Sequence, residues 1–506
     1  MNARRSAAAL AVPAAAGLAL GLTMPRGPLV SWQSVVALVV AAAAGAVCGW
    51  LLRSRRAALL APLVLIGVVE LVRIAEGGPT VDRLRLSTVF EVGAFITGRG
   101  FDALVILLPM ATGALWGAWW ARCGAAQAAR GPAEPASAEP PVRRSVRSRV
   151  GLGVRRVGLG LATAVVVLVA AGLVRPSSTE PILGADGEPL AGSVAELVTV
   201  PIGGQDQTIM LRGHAADAPV LLFLEGGPGG TALGSMRYAG EPLEESFVVA
   251  TWDQRGTGTS VAAREPLDTF TVPQMVDDAV EVMEYLTDRF GTDGVYVVGS
   301  SWGTTLGVLA AQERPDLVLA YVGCGQMVDQ FETDTIMYQE SLDYARDAGD
   351  TGFEQQLESL GPPPYDDALD YPIALSSNPR WQDFTPGADH ESRASYPVSV
   401  FVGEYTMTQQ VRALGAIMDT FAVLYPQLED IDFRRTVPTL DVPVYLVEGQ
   451  YEALGRSRLA LEWYGMLSAP HKELAVWDHS GHTPHLDEPG RFADFMRTVL
   501  AETQQG

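Results

Sequence analysis

The sequence predicts a mostly parallel α/β sheet covered by helices on both faces, preceded by an all-α apolar bundle. Three observations carry this. Five long apolar stretches fill the first third of the chain. After Pro176, short β-type runs punctuated by glycine alternate with helical periods, and several of those runs are apolar throughout, as strands buried on both faces must be. At 506 residues the chain exceeds one ordinary domain, and its charge divides where its pattern does. Residues 1–175 hold 19 Arg and no Lys against 7 Asp plus Glu, whereas residues 176–506 hold 17 basic and 51 acidic residues.

The apolar stretches lie near 7–24, 29–52, 57–75, 101–121 and 157–174, each close to the roughly 20 residues that cross a bilayer. Arginines precede the first (Arg4, Arg5), separate the second from the third (Arg53, Arg55, Arg56), and separate the fourth from the fifth (Arg122, Arg130, Arg143, Arg144, Arg147, Arg149, Arg155, Arg156). Basic loops stay cytoplasmic, so the expectation is a multi-pass cell-membrane region over 1–175, with an inside N-terminus and five crossings. The domain over 176–506 would then be extracytoplasmic and the lipid bilayer a partner. Arg73, Arg83, Arg85 and Arg99 fit this less well and are partly offset by Glu76, Asp82 and Glu91. A cleaved signal peptide is the other reading of the first stretch, and four remaining crossings leave the same domain outside. Gly131 to Pro141, rich in Pro, Ala and Glu, reads as a flexible cytoplasmic loop.

Cys48 and Cys123 belong to the apolar region and Cys324 stands alone beyond it, so no disulfide forms within the C-terminal domain. Its acidity excludes nucleic acid as a partner. The same charge mildly favours cationic substrates, or serves solubility alone.

Strands are predicted over Leu197–Pro201, Thr208–Leu211, Val220–Leu224, Phe247–Trp252, Val295–Val298, Leu317–Val322, Val442–Val447 and Leu474–Trp477. A helix from Val272 aligns Met275, Val276, Ala279, Met283, Leu286 and Phe290 on one face, with Thr271 and Gln274 spaced as a capping box. Residues 327–437 interrupt the alternation with acidic, helix-like sequence and read as a cap inserted above the strands' carboxyl ends.

Chemistry enters with Gly299-Ser300-Ser301-Trp302-Gly303, which closes the run Val295–Val298 and opens a helical one. Such a strand-to-helix turn is tight, a Cβ at either glycine would collide, and Ser301 is pushed out for attack. A serine hydroxyl needs a base held by a carboxylate. Of six histidines, His479, His482 and His485 follow the last strand, and Ser480-Gly481 gives His482 the most flexible approach. The carboxylate should follow the preceding strand, which selects Glu452 over Glu448. Attack creates an oxyanion, and losing one preorganised donor costs about 2.7–4 kcal/mol. Backbone N–H groups of Gly227, in the glycine-rich loop Glu225–Gly230, and of Trp302 are the expected donors. Neither a GKS or GKT sequence nor a dinucleotide fingerprint follows that loop, which argues against phosphate binding there.

Taken together, Gly226-Gly227-Pro228-Gly229, Asp253-Gln254-Arg255-Gly256-Thr257-Gly258-Thr259-Ser260 and Gly299 to Gly303 with Trp302 resemble the proline iminopeptidase family of α/β-hydrolases over about residues 195–500. The resemblance implies an eight-stranded α/β-hydrolase core with a helical cap, no cofactor, and release of an N-terminal residue, often proline, from a small peptide with a free N-terminus. By position it makes Ser301 the nucleophile, His482 the base, and Gly227 and Trp302 the oxyanion donors. Two departures stand out: Glu225 replaces the family's usual histidine before GGPG, and Glu452 its usual aspartate. Acidic cap residues are the family's source of the ammonium contact, and Glu332, Asp334 and Glu340 open the cap. Asp253 and Arg255 read first as a structural corner, an ion pair or hydrogen-bonded turn. A carboxylesterase of small or lipid-like esters, and a binding or sensory membrane protein with a degenerate hydrolase domain, are the competing readings.

Overall fold

The computed structural model describes residues 3–24, 29–74, 86, 89–128, 146–264 and 269–505. It divides into two compact units, Met1–Pro176 with Thr406–Arg412, and Ser177–Tyr405 with Ala413–Gly506.

The first unit is helical: Ala3–Thr23, Ser31–Leu52, Ala57–Val72, Val89–Phe95, Phe101–Ala128 and Val146–Leu173. Among the described residues, four segments are long and apolar enough to cross a membrane: Arg4–Thr23, Ser31–Leu52, Glu91–Gln127 and Arg155–Leu173. The expected third crossing, 57–75, is the 16-residue helix Ala57–Val72, shorter than those four segments. That is roughly 24 Å at 1.5 Å per residue, short of the roughly 30 Å hydrocarbon core. Arg73 stops it by folding onto the end of the first helix, donating to the carbonyls of Gly21 (3.0 Å) and Leu20 (3.2 Å), where a cation suits the helix dipole. Arg73 is therefore buried packing and no evidence about loop topology. Arg83, Arg85, Glu76, Asp82, Arg130, Arg143, Arg144 and the stretch Gly131 to Pro141 lie outside the described residues.

Ser31–Leu52 and Phe101–Ala128 touch backbone to backbone through two Gly-x-x-x-Gly patterns, Gly45/Gly49 and Gly113/Gly117. A Cβ on Gly45 would lie 2.0 Å from the Met110 carbonyl oxygen and one on Gly49 2.0 Å from that of Ala114; reciprocally, Gly113 meets Ala42 and Gly117 meets Ala46. Small residues at this spacing let apolar helices gain dispersion contact where no hydrophobic force separates protein from lipid. The pattern is legible in the sequence and was not used there.

The second unit is an eight-stranded sheet, β1 (Val194–Ile202), β2 (Gln205–Gly213), β3 (Val220–Leu224), β4 (Val248–Asp253), β5 (Val295–Ser300), β6 (Val318–Cys324), β7 (Val444–Gly449) and β8 (Lys472–Trp477), ordered β1-β2-β4-β3-β5-β6-β7-β8. β1 and β2 pair antiparallel with each other, β2 antiparallel with β4, and all other neighbours are parallel. The apolar runs follow from burial on two faces. In β3, Val220, Leu222 and Leu224 enter one core while Leu221 and Phe223 enter the other, as the period of two requires.

The helix Val272–Phe290 starts on Thr271, whose side chain accepts from the Gln274 N–H (3.3 Å). Gln274 does not return the bond as a capping box would; its amide reaches Asp278 instead (2.9 Å). Between β6 and β7 the chain forms helices Gln330–Ala348, Thr351–Leu360, Tyr371–Ser376, Met407–Leu424 and Phe433–Thr436. The Gly226–Gly230 loop leaves β3, the Ser301 turn leaves β5, Gly325 follows β6, Glu452 follows β7 and His482 follows β8. Every group of interest therefore leaves the carboxyl end of a parallel strand.

Gly49→Ala is expected to lower the thermal midpoint of the detergent-solubilised chain, overpacking costing about 1–3 kcal/mol. Gly67→Ala, whose Cβ would meet nothing within 4 Å, should leave it unchanged. Equal midpoints for the two variants would refute the close-contact account.

Candidate active site

Ser301 sits between β5 and the helix Trp302–Glu313 at φ 51°, ψ −120°. No β-branched or bulky side chain tolerates that region easily, and strain of this kind needs surrounding structure to hold it. The holders are visible. Ser301 N–H donates to the Cys324 carbonyl at the end of β6 (3.1 Å), and its own carbonyl accepts from Thr304 N–H (2.7 Å). A Cβ on Gly303 would lie 2.0 Å from the Leu224 oxygen, so only glycine lets the new helix pass the end of β3.

Gly325, the residue after Cys324, has φ +61°, and a Cβ there would lie 2.8 Å from His482 Nδ1. The imidazole thus rests against the residue next to the one that holds the Ser301 amide. His482 Nδ1 hydrogen-bonds Glu452 Oε2, so the two residues selected from the sequence as base and carboxylate meet. Glu452 is buried; Ala453 N–H donates to its Oε1 (2.7 Å), as does Arg456 (3.3 Å). Burial alone would raise its carboxyl, but the charges of His482 and Arg456 and the bonds from His482 and Ala453 outweigh it and hold the group at about 2.

Glu448, the rival carboxylate, is shifted the other way. It is buried at the end of β7, with Oε1 accepting from Gln326 N–H (2.9 Å) and Oε2 meeting no partner. Burial first, then the negative charge of Glu452, pushes it well above the usual carboxylate range. The other two clustered histidines have different surroundings. His485 is buried against Phe223, ring centroids 5.2 Å apart, and burial, followed by the His482 charge, drives it down to about 3. His479 Nδ1 lies 3.2 Å from the Thr385 carbonyl oxygen.

The glycine-rich loop abuts the serine: a Cβ on Gly226 would lie 3.0 Å from Ser301 Cβ. Gly227 follows at φ +125°, and Trp302 is the first residue of its helix, where N–H groups lack helical partners. Trp302 directly follows Ser301, and Gly227 directly follows the glycine that abuts it. Gln254 ties loop to turn, accepting from the Trp302 indole N–H (2.9 Å) and donating to the Glu225 carbonyl (3.0 Å). In place of the family's histidine, Glu225 accepts from Gly226 N–H (2.9 Å) and Ser235 Oγ–H (3.2 Å). Burial raises its carboxyl despite those two bonds.

Asp253 and Arg255 form two separate anchors and no mutual ion pair. Asp253 accepts from Ala232 N–H, Tyr405 OH, and Thr259 N–H and Oγ–H, all within 3.1 Å. Arg255 pairs bidentately with Asp278 (2.7 and 2.8 Å). Sequence reasoning overlooked Gln254, Gly325 and Arg456. The first lay inside a quoted motif, and the last sits one helical turn beyond Glu452.

The three acids at the start of the cap have different situations. Glu332 is held by Arg434 and Arg458, each at 2.6 Å. Asp334 is buried, its Oδ1 accepting from Gln330 Nε2 (2.8 Å) and Tyr425 OH (2.7 Å). Glu340 accepts from Leu454 N–H (3.1 Å) and Gly455 N–H (3.3 Å), capping the helix that follows Glu452. Its carboxyl is raised by burial and, more weakly, by the charge on Glu452.

Burial lifts Asp334 from 3.8 to about 7, against its two hydrogen bonds and the charge of Arg456. As pH rises between those values the unfolded chain releases a proton that the folded chain keeps, so this group withdraws stability over that window. Asp334→Asn retains an oxygen acceptor for both bonds without the charge. Urea-denaturation profiles should show the variant gaining on wild type from pH 4 to 7, by up to about 4 kcal/mol, with no change below pH 4. A constant difference across the range would refute the shift.

Residues 219–360 match the alpha/beta hydrolase fold family. A probable aminopeptidase of Bacillus subtilis (strain 168), YbaC, is 28% identical over 308 residues, spanning 60% of this chain and 96% of its own. A probable proline iminopeptidase of Leptolyngbya boryana is 25% identical over 288 residues, 54% of this chain and 83% of its own. Among solved structures, the proline iminopeptidase of Mycobacterium smegmatis superposes with a TM-score of 0.43 at 19% identity, covering 61% of this chain and 98% of that one. The matched residues, the sheet order and the strand-to-helix serine turn give this chain an α/β-hydrolase fold, and its homologues include proteins named as proline iminopeptidase and aminopeptidase.

Proposed function

We propose that this protein is a membrane-anchored serine hydrolase of the prolyl-aminopeptidase type, releasing N-terminal residues from small peptides through an acyl-enzyme. The observation that carries the reading is the Glu452–His482 pair lying against Gly325, beside the strained turn that presents Ser301. Glu452 accepts from Nδ1 and leaves Nε2 of His482 to take the Ser301 proton as Oγ attacks the scissile carbonyl. The N–H groups of Gly227 and Trp302 receive the developing negative charge. His482 then protonates the leaving amine, and water releases the acyl group by the same steps in reverse. The aminopeptidase and proline iminopeptidase names of the relatives support the substrate class. Of the acidic residues Glu332, Asp334 and Glu340, the last lies closest in effect to the reacting groups, since its carboxyl feels the charge on Glu452.

Fluorophosphonate should label the wild type and not Ser301→Ala, and that variant should lose about four orders of magnitude or more in turnover of a prolyl amide. Glu452→Gln should bind substrate comparably yet turn it over about 10³–10⁴-fold more slowly. A free-amine prolyl amide should be preferred over its N-acetyl form by about 100-fold or more, because only the ammonium brings the buried acids a charge partner. Equal rates on both forms would replace the aminopeptidase reading by an esterase or general hydrolase. An unlabelled wild type would favour a binding role for the domain.

The localisation we infer is a cell-membrane anchor with the hydrolase domain on the extracytoplasmic side. Arg55, Arg122, Arg155 and Arg156 gather at one cavity, so the corner after Ser31–Leu52 shares an end of the bundle with the start of the apolar part of Val146–Leu173. That last helix then finishes at the end opposite the arginines, which the positive-inside rule makes the outer one. Protease added to intact cells should degrade residues 177–506, and protection until lysis would reverse the orientation.

A further inference from the structure

The same four arginines raise a question that topology alone does not answer. Arg55, Arg122, Arg155 and Arg156 come from three separate stretches of the chain to line one cavity of about 640 Å³, with Trp116 and Trp119 in its wall. Among the described residues no carboxylate pairs with any of the four; Arg122 Nε–H donates only to the Ala118 carbonyl of its own helix (2.9 Å). The repulsion is felt: the Arg55 guanidinium is pushed down by burial first, then by the charges of Arg155 and Arg122. The wall is fixed. The Trp116 indole N–H donates to Thr163 Oγ (3.0 Å) on the neighbouring helix, and Trp119 packs edge-on against it with ring centroids 5.4 Å apart.

A positive-inside signal requires arginines on one face, not convergence on a walled cavity. Guanidinium groups match phosphate oxygens with paired N–H donors, and tryptophan prefers the headgroup level of a bilayer. Resting on the reading that these helices cross a membrane, we propose that the cavity binds a phosphate-bearing anion, supplied by the headgroup of an anionic phospholipid. Basic cavities between membrane helices on the cytoplasmic side suit such headgroups. The bound phosphate offsets part of the cluster's charge and fixes the corner after Leu52 to the helices beginning and ending beside it. Free phosphate carries the same chemistry without the lipid tails.

The test uses the full chain in dodecylmaltoside, with dioleoylphosphatidylglycerol, dioleoylphosphatidylcholine or inorganic phosphate added and bound species counted by native mass spectrometry. Phosphatidylglycerol should be retained over phosphatidylcholine. Arg155→Gln with Arg156→Gln should weaken retention about thirty-fold, whereas Arg4→Gln with Arg5→Gln, an equal charge loss outside the cavity, should leave it unchanged. Arg155→Lys with Arg156→Lys keeps the charge and the fold and should retain an intermediate amount. Inorganic phosphate binding that these variants abolish, without phosphatidylglycerol preference, would keep the phosphate site and change its source. Equal retention of both lipids with no phosphate bound, or equal loss in the two Gln pairs, overturns the proposal. Release of the wild type by alkaline carbonate would instead sink the membrane-spanning reading on which it rests.

Discussion

Keeping Glu452 ionised inside the protein is the constraint around which the site is arranged. Two glutamates, Glu448 and Glu452, leave β7 four residues apart, both are buried, and burial alone would neutralise both. Glu452 receives the Nδ1 of His482, a guanidinium and a backbone N–H. Glu448 receives one backbone N–H on one oxygen. A charge on either opposes one on the other, and their surroundings drive the two carboxyls in opposite directions, Glu452 down and Glu448 up. Environment, not residue type, decides which acts on the histidine. With Nδ1 committed to Glu452, the other ring nitrogen of His482 is left as the acceptor, which is the tautomer a base needs.

That arrangement demands rigidity beneath it, and the rigidity comes from polar groups whose bonding is largely complete. Arg255 and Asp278 form an ion pair buried on both sides, which is costly unless every donor and lone pair is used. Here Asp278 also accepts from Gln207 (2.8 Å) and Gln274 (2.9 Å), while Gln207 accepts from the Trp252 indole (3.0 Å). The network joins β2, β4, the loop after β4 and the helix Val272–Phe290. Asp253, at the end of β4, fastens Ala232 and Thr259 by their N–H groups, and Gln254 fastens the GGPG loop to Trp302. One short motif thereby fixes the amides on both sides of Ser301.

Much of this was legible because the sheet is buried on both faces: continuous apolar runs mark its strands, and all eight lie within a few residues of their predicted bounds. Glu452 and His482 were also readable, since chain order fixes which strand ends can supply them. What resisted reading depends on three-dimensional partners. Gln274 has the spacing of a capping-box residue, yet the buried Asp278 is the stronger competitor for its amide. Asp253 and Arg255, two residues apart, suggest an ion pair, but β4 ends at Asp253 and the chain turns, so each reaches its own anchor. The helix Ala57–Val72 is shorter than the apolar run 57–75 because Arg73 turns onto the first helix's carbonyls. The Gly45/Gly49 and Gly113/Gly117 spacing could have been read directly.

Substrate choice turns on how acidity is distributed, not on its amount. The unit after Pro176 carries a large negative excess, yet its most prominent cap carboxylates are committed. Arg434 alone pairs with Asp329, Glu332, Asp432 and Glu462, so those carboxylates already hold a cation of the protein's own. Asp334 and Glu340 differ, because burial raises the carboxyl of each. An ammonium group brought beside either one favours the ionised carboxylate and offsets what burial removed. A neutral ester gains nothing from them. In the aminopeptidase reading proposed above, these two acids favour a free amine over an uncharged ligand, a difference that lies outside the catalytic geometry a peptidase and an esterase share on this core.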